Sequence, residues 1–251
     1  MSFVFITDPF FYAVAIPAVL LLGLSKSGFG AGFGALAVPL MALAVPVPQA
    51  AAILMPLLLV MDLQGIAVFR NDKNTSFLKL TIPFGLLGTL LGFLLFKVLS
   101  AKVVAMLVGI LTLLFLAQKL MFAPKATGIA PNKPLGAFLA TISGFTSFVA
   151  HAGGPPIQAY AIPLRMPPLM FTATMSYQFF VINLSKWIPY AFLGLLDWKN
   201  AMTSLLLLPL APIGLTIGVK IAKIIQANLF YKLVYIGMFL TGIKLIYDGL
   251  F

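Results

Sequence analysis

Three ionisable side chains lie inside apolar stretches of the sequence, namely Lys26, Asp62 and Lys186. A charge in such surroundings is costly, and it indicates a function or a buried partner. Lys26 is flanked by Ser25 and Ser27, so its ammonium would lie among hydroxyl groups. One positive charge surrounded by hydrogen-bond donors is the chemistry that binds a small anion. The alternative is a lysine at a helix end whose ammonium reaches the membrane interface.

The other two charged side chains lie in predicted spans. Lys186 follows Asn183 by three residues, which places both on one face of a helix, and Gln178 lies further along the same apolar run, Leu169–Leu193. We therefore expect Lys186, Asn183 and Gln178 to contribute to an anion site, with a structural lysine as the alternative. Asp62 would pair with a lysine, either Lys26 or one from the other half of the chain, or would carry a proton for coupled transport.

His151 is the only histidine of the chain, which also lacks cysteine. A histidine with no second His, Cys or Glu beside it predicts no metal site, and we expect no cofactor. The ring could titrate near neutral pH, so His151 is a second candidate for proton coupling, with a hydrogen-bonded structural role as the alternative. Gly153 and Gly154 precede two prolines, a chain break whose N–H groups could face a ligand.

Glycine recurs at every second position after Lys26, at Gly28, Gly30, Gly32 and Gly34. Each glycine costs about 1 kcal/mol relative to alanine inside a helix, so this strip predicts a break in regular structure. Within hydrocarbon, irregular backbone is tolerated only where protein buries it or where it lines a water-filled cavity. We therefore predict that residues 23–34 line a cavity and that the glycine amides there contribute to the binding site.

The composition places these residues in a membrane. Hydrophobic residues make up 62% of the 251 residues and charged residues 8%, too few to cover the chain with a water-facing surface. Several apolar runs reach the roughly 20 residues that cross a bilayer as a helix. The net charge of +11 favours anions, either lipid head groups or a solute. Nucleic acid is not an expected partner, because the charges are dispersed rather than clustered on a soluble module.

The sequence contains an internal recurrence. At an offset of 126, Pro83, Gly88, Gly92 and Lys97 match Pro209, Gly214, Gly218 and Lys223. At an offset of 121, Gly23 matches Gly144, Gly32 matches Gly153 and Asp62 matches Asn183. Duplicated halves with corresponding Gly/Pro-interrupted segments indicate a transporter whose substrate binds between the halves. Glycines placed only for close helix packing are the alternative.

The predicted fold is an all-α transmembrane bundle of about 8–10 segments. It consists of two homologous halves, for which we favour inverted topology, and it contains Gly-rich broken helices. Residues 1–122 form the first membrane repeat, residues 123–134 the inter-repeat loop and residues 135–251 the second repeat. No nucleophile–base pair, carboxylate pair or phosphate-binding glycine loop occurs in the sequence. We therefore do not expect an enzyme or, for this chain alone, an ATP-driven pump.

The two glycine-rich strips resemble those of the TauE/SafE family of membrane permeases, which is also grouped with the 4-toluene sulfonate uptake permeases. The resemblance rests on the strip Gly23–Gly34 followed by Val38–Pro39, and on its repeat with Gly153–Pro156 and Tyr160. It covers nearly the whole chain. It implies the movement of sulfur-containing anions, including sulfite and organosulfonates, across the bacterial inner membrane.

These observations together predict a multi-pass secondary transporter of small oxyanions that works by alternating access. A passive anion channel and a transporter of small carboxylates are the alternatives. The expected partners are the lipid bilayer and a small anionic substrate, and a homodimer is one option for the oligomeric state.

Overall fold

The computed structural model describes residues 4–26, 33–69, 72–121, 132–214, 216 and 227–251. These residues form helices joined by short connections, and no strand occurs among them. Four of the described helices are long and apolar enough to cross a membrane by length and composition: Pro9–Lys26, Val47–Ala67, Thr75–Val98 and Ala101–Met121. The prediction of an all-α membrane bundle is confirmed.

The described helices are grouped by the half of the chain in which they lie. In the first half they are α1 (Pro9–Lys26), a 3₁₀ turn (Phe33–Leu36), α2 (Ala37–Met41), α3 (Val47–Phe69), α4 (Thr75–Val98) and α5 (Ala101–Met121). In the second half they are α6 (Lys133–Ala150), α7 (Gly154–Ala161), a 3₁₀ turn (Ile162–Leu164), α8 (Pro168–Ser185), α9 (Trp187–Phe192), α10 (Trp198–Leu207), a helical segment at 210–214 and α11 (Ala227–Leu250). The predicted division into repeats stays a prediction, and most of the inter-repeat loop lies outside the described residues.

One predicted run, Leu169–Leu193, is divided in the structure. The helix α8 ends at Ser185 and α9 begins at Trp187, so Lys186 lies at the junction between them. Pro189 contributes to the division, because proline has no N–H with which to bond the carbonyl of Ser185 four residues earlier. The proline alone does not cause it, since Pro17, Pro56 and Pro83 leave α1, α3 and α4 continuous. Lys186 therefore belongs to a break rather than to the middle of a continuous span.

Three of the described helices have an N-cap residue whose side chain accepts a hydrogen bond from a backbone N–H. Asn74 at α4, Asn132 at α6 and Asp197 at α10 each accept from the N–H three residues later, at 3.0, 2.9 and 2.8 Å. Such caps satisfy N–H groups that the first turn of a helix leaves without a partner. The polar connections of the sequence thus fix where these helices start.

Glycine lets helices from different halves approach to backbone contact. A Cβ on Gly88 of α4 would lie 1.9 Å from the backbone oxygen of Thr141 in α6. A Cβ on Gly214 would lie 3.3 Å from the Cα of Leu20 in α1. The offset of 126 pairs Gly88 with Gly214, and the offset of 121 pairs Leu20 with Thr141. Contacts at positions matched by the two offsets therefore join residues 1–122 to residues 135–251 in both directions.

The helices α3 and α8, one from each half of the chain, also pack against each other. Asp62 of α3 contacts Asn183 of α8, whereas Gly65, further along α3, packs against Ser176, which comes earlier in α8. This order of contacts is that of antiparallel helices. Asp62 and Asn183 are also matched by the offset of 121, so two positions that the sequence recurrence pairs are in contact here.

Candidate functional site

Several of the predicted site residues surround one cavity at the breaks in the helices. Its empty volume is about 700 Å³ when its open mouth is included. The polar side chains that line it are Ser25, Lys26, Ser147, His151, Gln158, Thr172, Ser176 and Asn183. Apolar side chains line the remainder, among them Leu22, Leu58 and Phe179. The lining thus comes from both halves of the chain and from both sides of the first glycine-rich strip.

Lys26 supplies the positive charge at the cavity wall. It is the last residue of α1, and its ammonium donates to Asp62 Oδ1, while Asn183 Nδ2 donates to Asp62 Oδ2 at 2.6 Å. The side chain of Lys26 is 16% exposed and that of Asp62 is 0% exposed. Lys26 Nζ also lies 4.6 Å from the centre of the Phe179 ring, a favourable cation–π distance. A solute in the cavity therefore meets the ammonium, with the carboxylate buried behind it.

A second cluster joins Lys186 to the break between α6 and α7. Lys186 is fully buried, and its Nζ donates to the backbone oxygen and the hydroxyl of Ser147, each at 2.9 Å, and to His151 Nδ1 at 3.0 Å. His151 Nε2 lies 2.8 Å from the backbone oxygen of Ala51, which can only accept, so the ring proton is assigned to Nε2 and Nδ1 is left to accept from Lys186. Lys186 thus lies behind Ser147 and His151, and these two residues line the cavity.

The sequence around His151 explains why the chain breaks there. His151 adopts a left-handed conformation with φ of 51° directly after α6. Hydroxyl groups of α6 then bind the carbonyls of the break: Ser143 Oγ donates to Gly153 O at 2.6 Å, and Thr146 Oγ1 donates to Ala152 O at 3.0 Å. A Cβ at position 153 would lie 2.7 Å from the backbone oxygen of Ser143, so the break requires glycine.

The predicted site residues differ in how they relate to the cavity. Ser25 and Gly154 line it, and Gly153 lies against α6 beside it. Gln178 faces α4 instead, where its Oε1 accepts from Thr81 Oγ1 at 2.8 Å and its Nε2 donates to Thr81 O at 3.4 Å. A role of Gln178 in substrate binding stays a prediction. The remaining predicted residues, Ser27, Gly28, Gly30 and Gly32, lie outside the described part of the chain.

Sequence reasoning missed four polar residues of the lining, Ser147, Gln158, Thr172 and Ser176. Gln158 is buried in α7, and its Oε1 has no hydrogen-bond partner among the described residues. Two signals were present in the sequence, because Ser147 occupies the position of Lys26 at the offset of 121 and Gln158 is an amide in a short apolar helix. Thr172 and Ser176 gave no such signal, since hydroxyls in apolar helices commonly bond their own backbone.

The fold and the site define a class of protein. Four of the described helices are apolar and long enough to cross a bilayer, and a polar cavity lies where α1 and α6 end and α7 begins, which is the architecture of a membrane transporter or channel. Within the described ranges, no three His, Cys, Asp or Glu side chains come together as a metal-ion site would require.

Comparison with known families narrows this class. The family model described as Sulfite exporter TauE/SafE matches residues 15–245, nearly the whole chain. The chain therefore belongs to the TauE/SafE family of membrane transporters, and the resemblance seen in its glycine-rich strips is confirmed. No curated protein and no solved structure matches the chain.

Proposed function

We propose that the chain is a secondary transporter that carries small sulfur-containing oxyanions, such as sulfite or organosulfonates, across the bacterial inner membrane. The observation that carries this proposal is the cavity that Lys26 lines together with the polar residues Ser25, Ser147 and Asn183. An oxyanion presents several acceptor oxygens around one centre, and charge-assisted hydrogen bonds to such oxygens are strong. The description of the family as a sulfite exporter supports a sulfur-centred anion.

The predicted residues take different parts in this proposal. Lys26 attracts the anion directly, because its side chain is the charged one at the cavity wall. Lys186 acts from behind Ser147 and His151, so it adds positive potential without contacting the solute in this state. Hydroxyl, amide and backbone N–H groups orient the anion. They come from Ser25, Ser27, Gly28, Gly30, Gly32, Gly153, Gly154 and Asn183. The predicted contribution of Gln178 would require it to leave Thr81, to which both of its amide atoms are bonded in this state.

Alternating access is supported by the arrangement of α3 and α8. Equivalent residues of the two halves, Asp62 and Asn183, contact each other, and the helices that carry them are antiparallel. Antiparallel equivalent helices are what an inverted repeat produces, and such repeats move against each other around a central site. Asp62 and His151 remain the proposed candidates for proton coupling, because Asp62 lies at the contact between α3 and α8 and His151 lines the cavity.

Flux measurements with purified protein in liposomes test the proposal. We expect uptake of sulfite and sulfoacetate to saturate with concentration and to accelerate when the same anion is present on the opposite side. Flux that rises linearly without such acceleration would show a passive anion channel. Saturable flux of acetate or succinate with none of the sulfur anions would overturn the substrate assignment.

The variant Lys26→Met tests the site itself. It should abolish saturable flux, because no other described cationic side chain lines the cavity. The single change leaves the Asp62 carboxylate buried without its ammonium, which could itself prevent folding. The double variant Lys26→Met/Asp62→Asn has no such unpaired carboxylate. A folded double variant without saturable flux would therefore show that the ammonium is needed for transport. Lys244→Met, which changes an exposed lysine far along the chain in α11, is the matched control and should transport normally.

A further inference from the structure

Four titratable side chains determine the charge at the junction of the broken helices. They are Lys26 at the end of α1, Asp62 in α3, His151 between α6 and α7, and Lys186 between α8 and α9. Hydrogen bonds link them in two groups, Lys26 with Asp62 and Lys186 with His151. The charge of each group follows from the donors and acceptors around it.

The first group is a neutral pair. Each oxygen of the Asp62 carboxylate accepts a hydrogen bond, one from Lys26 and one from Asn183 Nδ2. Two donated bonds and an adjacent ammonium are the surroundings of an ionised carboxylate. The charge of Lys26 is thus balanced by the charge of Asp62.

The second group has one positive charge. Lys186 Nζ has three hydrogen-bond partners, the backbone oxygen and hydroxyl of Ser147 and His151 Nδ1, and we assign it as an ammonium that donates to all three. We assign His151 as a neutral ring: the backbone oxygen of Ala51 can only accept, so Nε2 carries the proton, and Nδ1, which also lies 3.2 Å from the Ser147 oxygen, accepts from Lys186. Within the described residues no carboxylate lies at ion-pair distance from Lys186. Its charge is therefore the uncompensated one.

We propose that the site selects singly charged oxyanions over doubly charged ones and that Asp62 sets this preference. The inference rests on the proposed function and deepens it, since it names the charge class of the substrate. A single negative charge neutralises the junction, whereas a dianion leaves an excess negative charge beside a fully buried carboxylate. Electrostatic interactions are strong in such a site because little water screens them.

The proposal also identifies the form in which a titrating substrate binds. Sulfite exists near neutral pH as a mixture of the hydrogensulfite monoanion and the sulfite dianion. The monoanion is the form that matches the charge of the site. Its binding should weaken as pH rises, because the ligand loses its proton, whereas the binding of a methanesulfonate ion, which does not titrate in this range, should change little over the same range.

Paired ligands of one shape and different charge provide the experiment. Methanesulfonate and sulfate both present oxygens tetrahedrally around sulfur, but the first is a monoanion and the second a dianion. Binding to the purified protein is measured by calorimetry at constant ionic strength, with the wild type and with Asp62→Asn. Asp248→Asn is the matched control, because this exposed carboxylate pairs with Lys244 in α11, away from the cavity.

The wild type should bind methanesulfonate at least about tenfold more tightly than sulfate, although sulfate offers one more acceptor oxygen. Asp62→Asn adds one unit of positive charge and should reduce this ratio by about tenfold or more, while Asp248→Asn leaves it unchanged. Sulfate binding as tightly as methanesulfonate to the wild type would overturn the charge selection but leave anion transport standing. If neither anion nor sulfite binds, the proposed function itself fails.

Discussion

Replacing Lys186 by methionine should destabilise the protein although the two side chains are similar in length. Lys186 Nζ bonds to the backbone oxygen and hydroxyl of Ser147 and to His151 Nδ1, and methionine can make none of these bonds. The Ser147 oxygen keeps a second partner, since the N–H of His151 donates to it at 3.0 Å. The Ser147 hydroxyl and the His151 ring nitrogen lose their ammonium donor.

The size of the effect follows from these two groups. A buried polar atom left without its partner costs about 1–3 kcal/mol. Part of that loss is offset, because methionine does not require the removal of water from a charge. We therefore expect a net destabilisation of about 2 kcal/mol. In a protein of this size, that corresponds to a fall in melting temperature of about 4–8 °C.

Thermal unfolding of the purified protein in detergent measures this difference, with tryptophan fluorescence as the signal, since Trp187 is the next residue in the chain. The control is Lys244→Met, which removes an exposed pair with Asp248 one helical turn away. Such surface pairs contribute about 0.3–0.5 kcal/mol, so the control should melt close to the wild type. Equal melting temperatures for the two variants would refute the conclusion that Lys186 fastens the α8–α9 junction to the break after α6.

Two further predictions concern the helices that position the site. Gly88→Ala should lower the stability by more than about 3 kcal/mol or prevent folding, because its Cβ would lie 1.9 Å from the backbone oxygen of Thr141. Gly237→Ala is the control and should be far milder, because its Cβ would meet only the end of the Leu36 side chain, at 3.3 Å. Similar melting temperatures for these two variants would contradict the close packing of α4 on α6. Asn132→Ala removes the N-cap of α6 and should lower stability by about 1 kcal/mol in the same assay, and an unchanged melting temperature would show that the cap is dispensable.

The fold was predictable to the extent that it depends on local chemistry. Apolar runs of bilayer length determine where the long helices lie, and prolines and glycines mark their ends. The division at Lys186 was missed, although Pro189 follows it by three residues. The residues on both sides of Pro189 are apolar, and an apolar run of this length predicts one span. The sequence therefore predicted a continuous helix where the structure has α8 and α9.

The site residues were predictable where a charged side chain lies in apolar sequence, because burying a charge is costly. They were less predictable where the packing of one helix on another determines which side chains meet. Lys26, Asp62 and Lys186 were selected because an ionisable group in apolar sequence needs an explanation, and the pairing of Lys26 with Asp62 was one of the predicted alternatives. Gln178 lies five residues from Asn183, which on a helix turns the two side chains to different faces. The contact of Lys186 with His151 depends on how α8 lies against α6, and no local pattern contains that information.

The difference between the halves has a physical reason at one position. The offset of 121 matches Lys186 with Gly65 and Lys26 with Ser147. A Cβ at position 65 would lie 2.3 Å from Ser176 Oγ, so the first half has no room for a lysine where the second half carries one. The first half supplies its lysine from the end of α1 instead.

This divergence is also what the proposed charge selection requires. Two copies of the first half would give the junction two pairs like Lys26 with Asp62 and no net charge. Two copies of the second half would give it two lysines like Lys186, each beside an asparagine in place of the aspartate, since Asn183 matches Asp62. A junction with one uncompensated positive charge arises only when the halves differ, and one such charge is what a singly charged oxyanion can neutralise.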